Sequence, residues 1–172
     1  LKYYLKYLEG YLMYKYWMKI AYGLATKSPD TSNQNGAVII DKNGWVIGQG
    51  YNHFPGGIKA VFEPREVKLK RIQHAERDAI LSCWSQRRLV ENATMICPWA
   101  ACCDCALAII GVKEIKTLVV HGRRMETTPI RWKNNIDYAH MMILEAGIEI
   151  LVLEELIPEA PQIIVNSVLW QP

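Results

Sequence analysis

Two short segments, His74-Ala75-Glu76 and Cys102-Cys103-Asp104-Cys105, constrain the fold more than any other feature of the chain. Together they supply one His, a C-x-x-C pair and a carboxylate two residues after the His. Zinc takes Cys thiolates and His nitrogens, and a catalytic zinc keeps three protein ligands and leaves the fourth position to water. For His74, Cys102 and Cys105 to meet, the two segments must be neighbours, and a pair of facing helix N-termini achieves this. The positive ends of such helices favour the thiolate form of the cysteines. Glu76 then stands beside the metal without binding it.

Either segment alone says little. H-x-E is usually chance on a helix, and C-x-x-C can be redox or structural. Combined, they leave an open catalytic site on His74, Cys102 and Cys105, or a closed structural one with Cys97, Cys103 or Cys83 as fourth ligand. Order and context favour the open site.

Five cysteines, four of them within residues 97–105, do not make a disulfide framework. Free thiols with a metal imply a reducing, cytoplasmic setting. With 172 residues the chain suits one domain with a sizeable core. Hydrophobic residues at 51% and charged ones at 22% argue against disorder. A net charge of +3 is too mild to call for nucleic acid and suits a small anionic substrate equally well. No apolar run reaches membrane-spanning length, and no secretory signal pattern opens the chain.

Along the chain, Leu12, Trp17, Ile20, Ala21 and Leu24 give helical spacing over about 10–26. Ser28-Pro29-Asp30-Thr31 starts a polar loop. Residues 36–41 and 45–51 read as a hairpin about the turn Asp41-Lys42-Asn43-Gly44. The charged stretch 58–73 reads as loop and helix lead-in with a solvated face. A helix is expected over 74–84, a strand over 94–97, a helix over 102–110 ended by Gly111, and a strand over 116–121. Residues 122–133 read as a loop, 134–146 as a helix closed by Gly147, and 148–153 as a last strand. The apolar tail from Ile163 to Trp170 packs on the body or on a neighbour. This order predicts an α/β fold with three α/β/α layers and a mixed five-stranded sheet.

The residues from Trp17 to about Ile150 resemble the cytidine and deoxycytidylate deaminase superfamily, most of all its deoxycytidylate (dCMP) branch. The resemblance rests on Gly36-Ala37-Val38-Ile39, Gly50-Tyr51-Asn52-x-Phe54-Pro55-x-Gly57, His74-Ala75-Glu76, and Cys102-x-x-Cys105-Ala106 with Ile109-Ile110. It implies a cytidine deaminase-like domain over 1–172, with a core at about 17–153 and N-terminal helical and C-terminal extensions. One catalytic Zn2+ would be held by His74, Cys102 and Cys105, with Glu76 as the proton shuttle. The Ala75 N–H matches the group that binds the cytosine carbonyl, and Asn52 the one that meets the sugar hydroxyl. A turn residue holding its own loop is the structural alternative for Asn52.

The implied reaction is zinc-dependent deamination of dCMP to dUMP and ammonia, in pyrimidine deoxynucleotide metabolism. The alternatives are dCTP, a 5-modified dCMP, or a base in RNA or DNA; a non-catalytic zinc module comes last. Arg123, Arg124, Arg131 and Lys27 are the candidates for the 5′-phosphate. The resemblance also implies a homo-oligomer, with a hexamer as the form, which the apolar Tyr3, Tyr4, Tyr7, Leu8 and 163–170 independently favour. It further implies dCTP with Mg2+ and dTTP as effectors near residues 51–57. Departures from the family pattern are Ala101 for the usual Pro, Asp78 for the common Asn, and His53 and Gly56 within the loop.

Overall fold

A computed structural model describes residues 2–88 and 91–172, with side chains from Gly10 onward. The elements are α1 (Lys2–Ala25), β1 (Gly36–Ile40), β2 (Val46–Tyr51), α2 (Arg65–Arg71), α3 (Ala75–Ser85), β3 (Ala93–Ile96), α4 (Cys103–Val112), β4 (Ile115–His121), α5 (Gly122–Glu126), α6 (Ile130–Glu145), β5 (Glu149–Leu153), β6 (Ile163–Val165) and β7 (Val168–Trp170).

The first five strands form the expected mixed sheet, in the order β2-β1-β3-β4-β5. β1 runs antiparallel to both β2 and β3, whereas β3, β4 and β5 are parallel. Parallel neighbours need crossovers, and α4 and α6 supply them. Gly36–Ile40 is buried throughout, because alternate side chains enter separate cores. Ala37 and Ile39 join Met95, Leu118 and Val120 under α3, α4 and α6. Val38 and Ile40 join Met18, Ala21 and Tyr22 of α1 on the other face.

Two glycines let α3 lie close on β2. A Cβ added to Gly50 would strike the Ala79 nitrogen and stand 2.6 Å from the Ala75 carbonyl oxygen; one added to Gly48 would strike the Cys83 sulfur. The close approach presses the start of α3, and therefore His74 and Glu76, against the sheet.

Some expectations need correction. On α1, Ala21 and Leu24 are buried as the spacing predicts, but Leu12 is exposed, and Met18, Tyr22 and Ala25 complete the buried face. α4 runs past Gly111 because Val112 reaches the core; Lys113 ends it in left-handed backbone at φ 62°. Residues 122–133 are helical for most of their length, since Pro129 in extended backbone launches α6 four residues earlier than expected. The tail folds into the β6–β7 hairpin, turned by Asn166 and Ser167 at φ 51° and 65°. It packs on the body, burying Ile163 and Val165 beside Tyr22. The side chains of Tyr3, Tyr4, Tyr7 and Leu8 lie outside the described residues. No helix among the described residues is long and apolar enough to cross a membrane.

Candidate active site

His74 is the N-cap of α3 and Cys102 the N-cap of α4, both in extended backbone. Cys105 follows one turn into α4, so two helix starts bring the three ligands together as the spacing requires. The His74 Nδ1 lies 3.5 Å from each of the Cys102 and Cys105 sulfurs. All three donor atoms fall within 4.8 Å of one another, which suits a single small cation. One imidazole and two thiols are a donor set that zinc takes readily.

The closed four-protein-ligand alternative finds no support among the described residues. The Cys97 sulfur accepts a hydrogen bond from Asn35 Nδ2 at 3.2 Å. The Cys103 thiol donates to the Asn135 carbonyl at 3.1 Å. Cys83 packs under Gly48. A fourth position is therefore left to the cavity above the cluster, whose wall includes His74, Ala75, Glu76 and Cys102.

Glu76 is buried at the cavity floor. Burial pushes its carboxyl above the usual range, and the nearby His74 opposes that rise. Cys102 is pulled down to about 4 by a hydrogen bond from Cys105, with His74 adding to the effect. The same bond, with burial, raises Cys105. A cation bound by both sulfurs would deprotonate them. Burial also raises Cys97 and keeps it a thiol.

The family model for the cytidine and deoxycytidylate deaminase zinc-binding region matches residues 13–122. The chain belongs to this family. It is 32% identical over 125 residues to an uncharacterized deaminase in the luxG 3′ region of Aliivibrio fischeri, covering 72% of this chain and 81% of that protein. It is 31% identical over 111 residues to the deoxycytidylate deaminase of Mus musculus, covering 59% of this chain and 61% of that enzyme. The match thus spans about three-fifths of the mouse protein. The crystal structure of the cyanophage S-TIM5 dCMP deaminase with dCMP and dUMP shares the fold, at TM-score 0.63 and 21% identity, covering 80% of this chain and 93% of that one.

Within this deaminase domain two departures from the family pattern meet each other. Asp78 accepts the Tyr51 N–H at 3.1 Å, and its other oxygen lies 3.0 Å from His53 Nε2. Burial alone would lower the His53 imidazole, but its bonds to Asp78 and the Phe54 carbonyl raise it above the ordinary value. His53 also exchanges two backbone hydrogen bonds with Gln73, next to the ligand His74. The 51–57 loop is thereby fastened to the helix that carries the site. Ala101, in the usual Pro position, is fully buried in the core under α4.

Asn52 lies on the cavity wall, with its carboxamide already engaged. Its Oδ1 accepts the Asn35 N–H at 2.7 Å, and its Nδ2 donates to the Asn33 carbonyl at 2.8 Å. The Ala75 N–H belongs to the first turn of α3, where backbone donors lack intrahelical acceptors.

Lys68 and Trp132 are wall residues that the sequence did not single out. Lys68, expected on a solvated face, is buried, with its ammonium 3.0 and 3.1 Å from the two Asp30 oxygens. Trp99 is fixed by Arg124 stacked 4.3 Å above its ring and by an Nε1–H bond of 2.9 Å to Thr128. Trp132 meets it edge-on at 6.2 Å. No local pattern singled out Lys68, because the acid that buries it lies 38 positions away. The buried Arg124 lay in a segment read as loop.

Proposed function

We propose that this chain, acting as one deaminase domain over 1–172, hydrolyses the 4-amino group of a deoxycytidine nucleotide: dCMP and water give dUMP and ammonia. The observation that carries this reading is the His74–Cys102–Cys105 cluster with the buried Glu76 beside it, at the floor of an open cavity. The likeness to deoxycytidylate deaminases supports the choice of substrate.

His74, Cys102 and Cys105 would hold one zinc ion, which when bound supplies the Lewis acidity that brings a water pKa to ~7. Glu76 takes the proton of the attacking water and delivers it to ring N3, which makes carbon 4 electrophilic. It then takes the proton of the new hydroxyl on carbon 4 and passes it to the departing amine, which leaves as ammonia. Positioned acid–base help of this kind is worth ~10²–10⁴ in rate. The Ala75 N–H donates to the cytosine carbonyl, with the positive end of α3 behind it. Asn52 meets the sugar hydroxyl through the second lone pair of Oδ1.

The same reading includes a homo-oligomer, hexameric by family resemblance, with Tyr138, Met141 and Leu144 as exposed apolar residues along α6 that suit a contact. It includes dCTP with Mg2+ and dTTP as effectors near the 51–57 loop. Five free thiols suit a reducing cytoplasm.

Ammonia release from dCMP, dCTP, cytidine and oligonucleotides, with and without added dCTP or dTTP, tests it. The highest kcat/KM is expected for dCMP. A preference for dCTP or an oligonucleotide would replace the substrate, and no release from any cytosine compound would remove the activity.

A further inference from the structure

The cavity over the metal cluster opens into an outer recess, and Ser32, Asn33, Arg65 and Lys68 line both. Arg131 joins the outer part, beside the tip of the β6–β7 hairpin at Asn166 and Ser167. The tip is fixed there: Ser167 N–H donates to the Ser32 carbonyl at 2.9 Å and Asn166 N–H to Asn33 Oδ1 at 3.1 Å. Arg131, Asn166 and Ser167 lie beyond residue 122, outside the stretch matched by the family model.

The nearby cations are not equivalent. Lys68 is spent on Asp30 and Ser32. Arg124 is buried behind Trp99, with its guanidinium bound to Asn33 Oδ1 at 3.0 Å and to Thr127. Arg123 and Lys27 line neither space. Arg65 and Arg131 remain, and neither is in an ion pair among the described residues. Arg65 is half-buried and held 5.8 Å over the Trp132 ring. Burial, and after it the charge of Arg131, lowers its pKa, so the two cations feel one another.

We infer that Arg65 and Arg131 together grip the 5′-phosphate of the substrate in this outer recess; the inference rests on the nucleotide reading above. Two like charges facing one space without a partner are stabilised by an anion between them. Guanidinium forks match phosphoryl oxygens in pairs. Glu63 is also on the recess wall. With Lys68 and Asp30 cancelling, two arginines against one glutamate leave a single net positive charge. That balance suits one phosphoryl group better than a triphosphate, so the recess selects a monophosphate.

Calorimetry on the zinc-loaded protein tests the inference with dUMP, dUTP and deoxyuridine as probes. Wild-type protein should bind dUMP at least about 10-fold more tightly than deoxyuridine, the scale of a charge-assisted contact, and more tightly than dUTP. Arg131→Gln and Arg65→Gln should each cut the dUMP-to-deoxyuridine ratio by about 10-fold and leave deoxyuridine affinity in place. Arg131 is exposed, so its variant keeps the fold, and Arg65→Lys should restore part of the ratio by keeping charge without the fork. An unchanged ratio in both Gln variants would overturn the assignment, as would an equal loss in Arg123→Gln. Tighter binding of dUTP would overturn the monophosphate selectivity. If wild-type protein binds none of the three, the nucleotide reading itself falls and the assignment with it.

Discussion

The floor of the cavity and its mouth are built by opposite means. At the floor, His74, Glu76, Cys102 and Cys105 come from two short segments, each the start of one helix. At the mouth, Ser32, Arg65 and Lys68, Arg131, and the 166–167 turn come from four separated parts of the chain, with Asp30 holding Lys68 from the inner side. The floor depends on spacing within a helical turn, the mouth on how distant loops are tied together. Chemistry is thus concentrated where local geometry is rigid, and recognition where long-range packing can vary.

The largest effect that separates the two regions should come from Glu76→Gln. The amide keeps the shape but cannot take a proton, so turnover should fall by ~10²–10⁴. Zinc content, melting temperature and dUMP affinity should stay near wild type, because the mouth is untouched. A variant that keeps more than about a tenth of the turnover, well short of the ~10²-fold loss expected of a proton shuttle, would strip Glu76 of that role.

This division also explains what could be read before folding. The metal cluster, Glu76 and the five-stranded sheet follow from H-x-E, C-x-x-C and strand alternation, which are local patterns. Lys68 could not be placed, because in sequence it is one of several charges in 58–73, and only Asp30, 38 positions away, buries it. Arg124 was weighed as a phosphate ligand, yet Trp99 and Asn33 from other loops enclose it. Even in the helix that carries the cysteines one local signal misled: Gly111 suggested its end, and burial of Val112 carried α4 past it.

Next in size is Asp30→Asn, which attacks the mouth and spares the floor. It leaves the Lys68 ammonium buried without its partner, a loss of about 3–5 kcal/mol. For a chain of this length that is a fall in Tm of roughly 6–20 °C. Burial would raise the Asp30 carboxyl, but hydrogen bonds from Ser32 and Lys68 outweigh it and bring the net value below 3.8. A folded value lowered in this way stabilises the protein above the unfolded pKa and ceases to do so as pH falls through the folded value. The Tm gap between wild type and variant should therefore be full at about pH 5–7 and close below about pH 4. A gap that ignores pH would mean the carboxylate charge is not what holds Lys68.

Gly50→Ala reverses the target. The added methyl meets the backbone of α3, so the helix must lift from β2. Overpacking of this kind costs about 1–3 kcal/mol. Because α3 carries His74 and Glu76, kcat should fall together with Tm, while the ratio of dUMP to deoxyuridine affinity stays as it was. If that ratio collapsed as well, floor and mouth would be one mechanical unit.

The smallest expected effect sits where the two regions join. Asn52 links the loop of Asn33 and Asn35 to the end of β2, and its carboxamide is nearly exhausted by those bonds. Asn52→Ala should cost about 1 kcal/mol, from the Asn35 N–H it leaves unpaired, and lower Tm by about 2–4 °C. Loss of the loop alone would weaken every ligand alike. A direct bond from Oδ1 to the sugar adds a loss that depends on the hydroxyl, so affinity for deoxyuridine should fall more than affinity for 2′,3′-dideoxyuridine. Equal losses on the two would make Asn52 only a brace between floor and mouth, and sugar recognition would then belong to another residue of the wall.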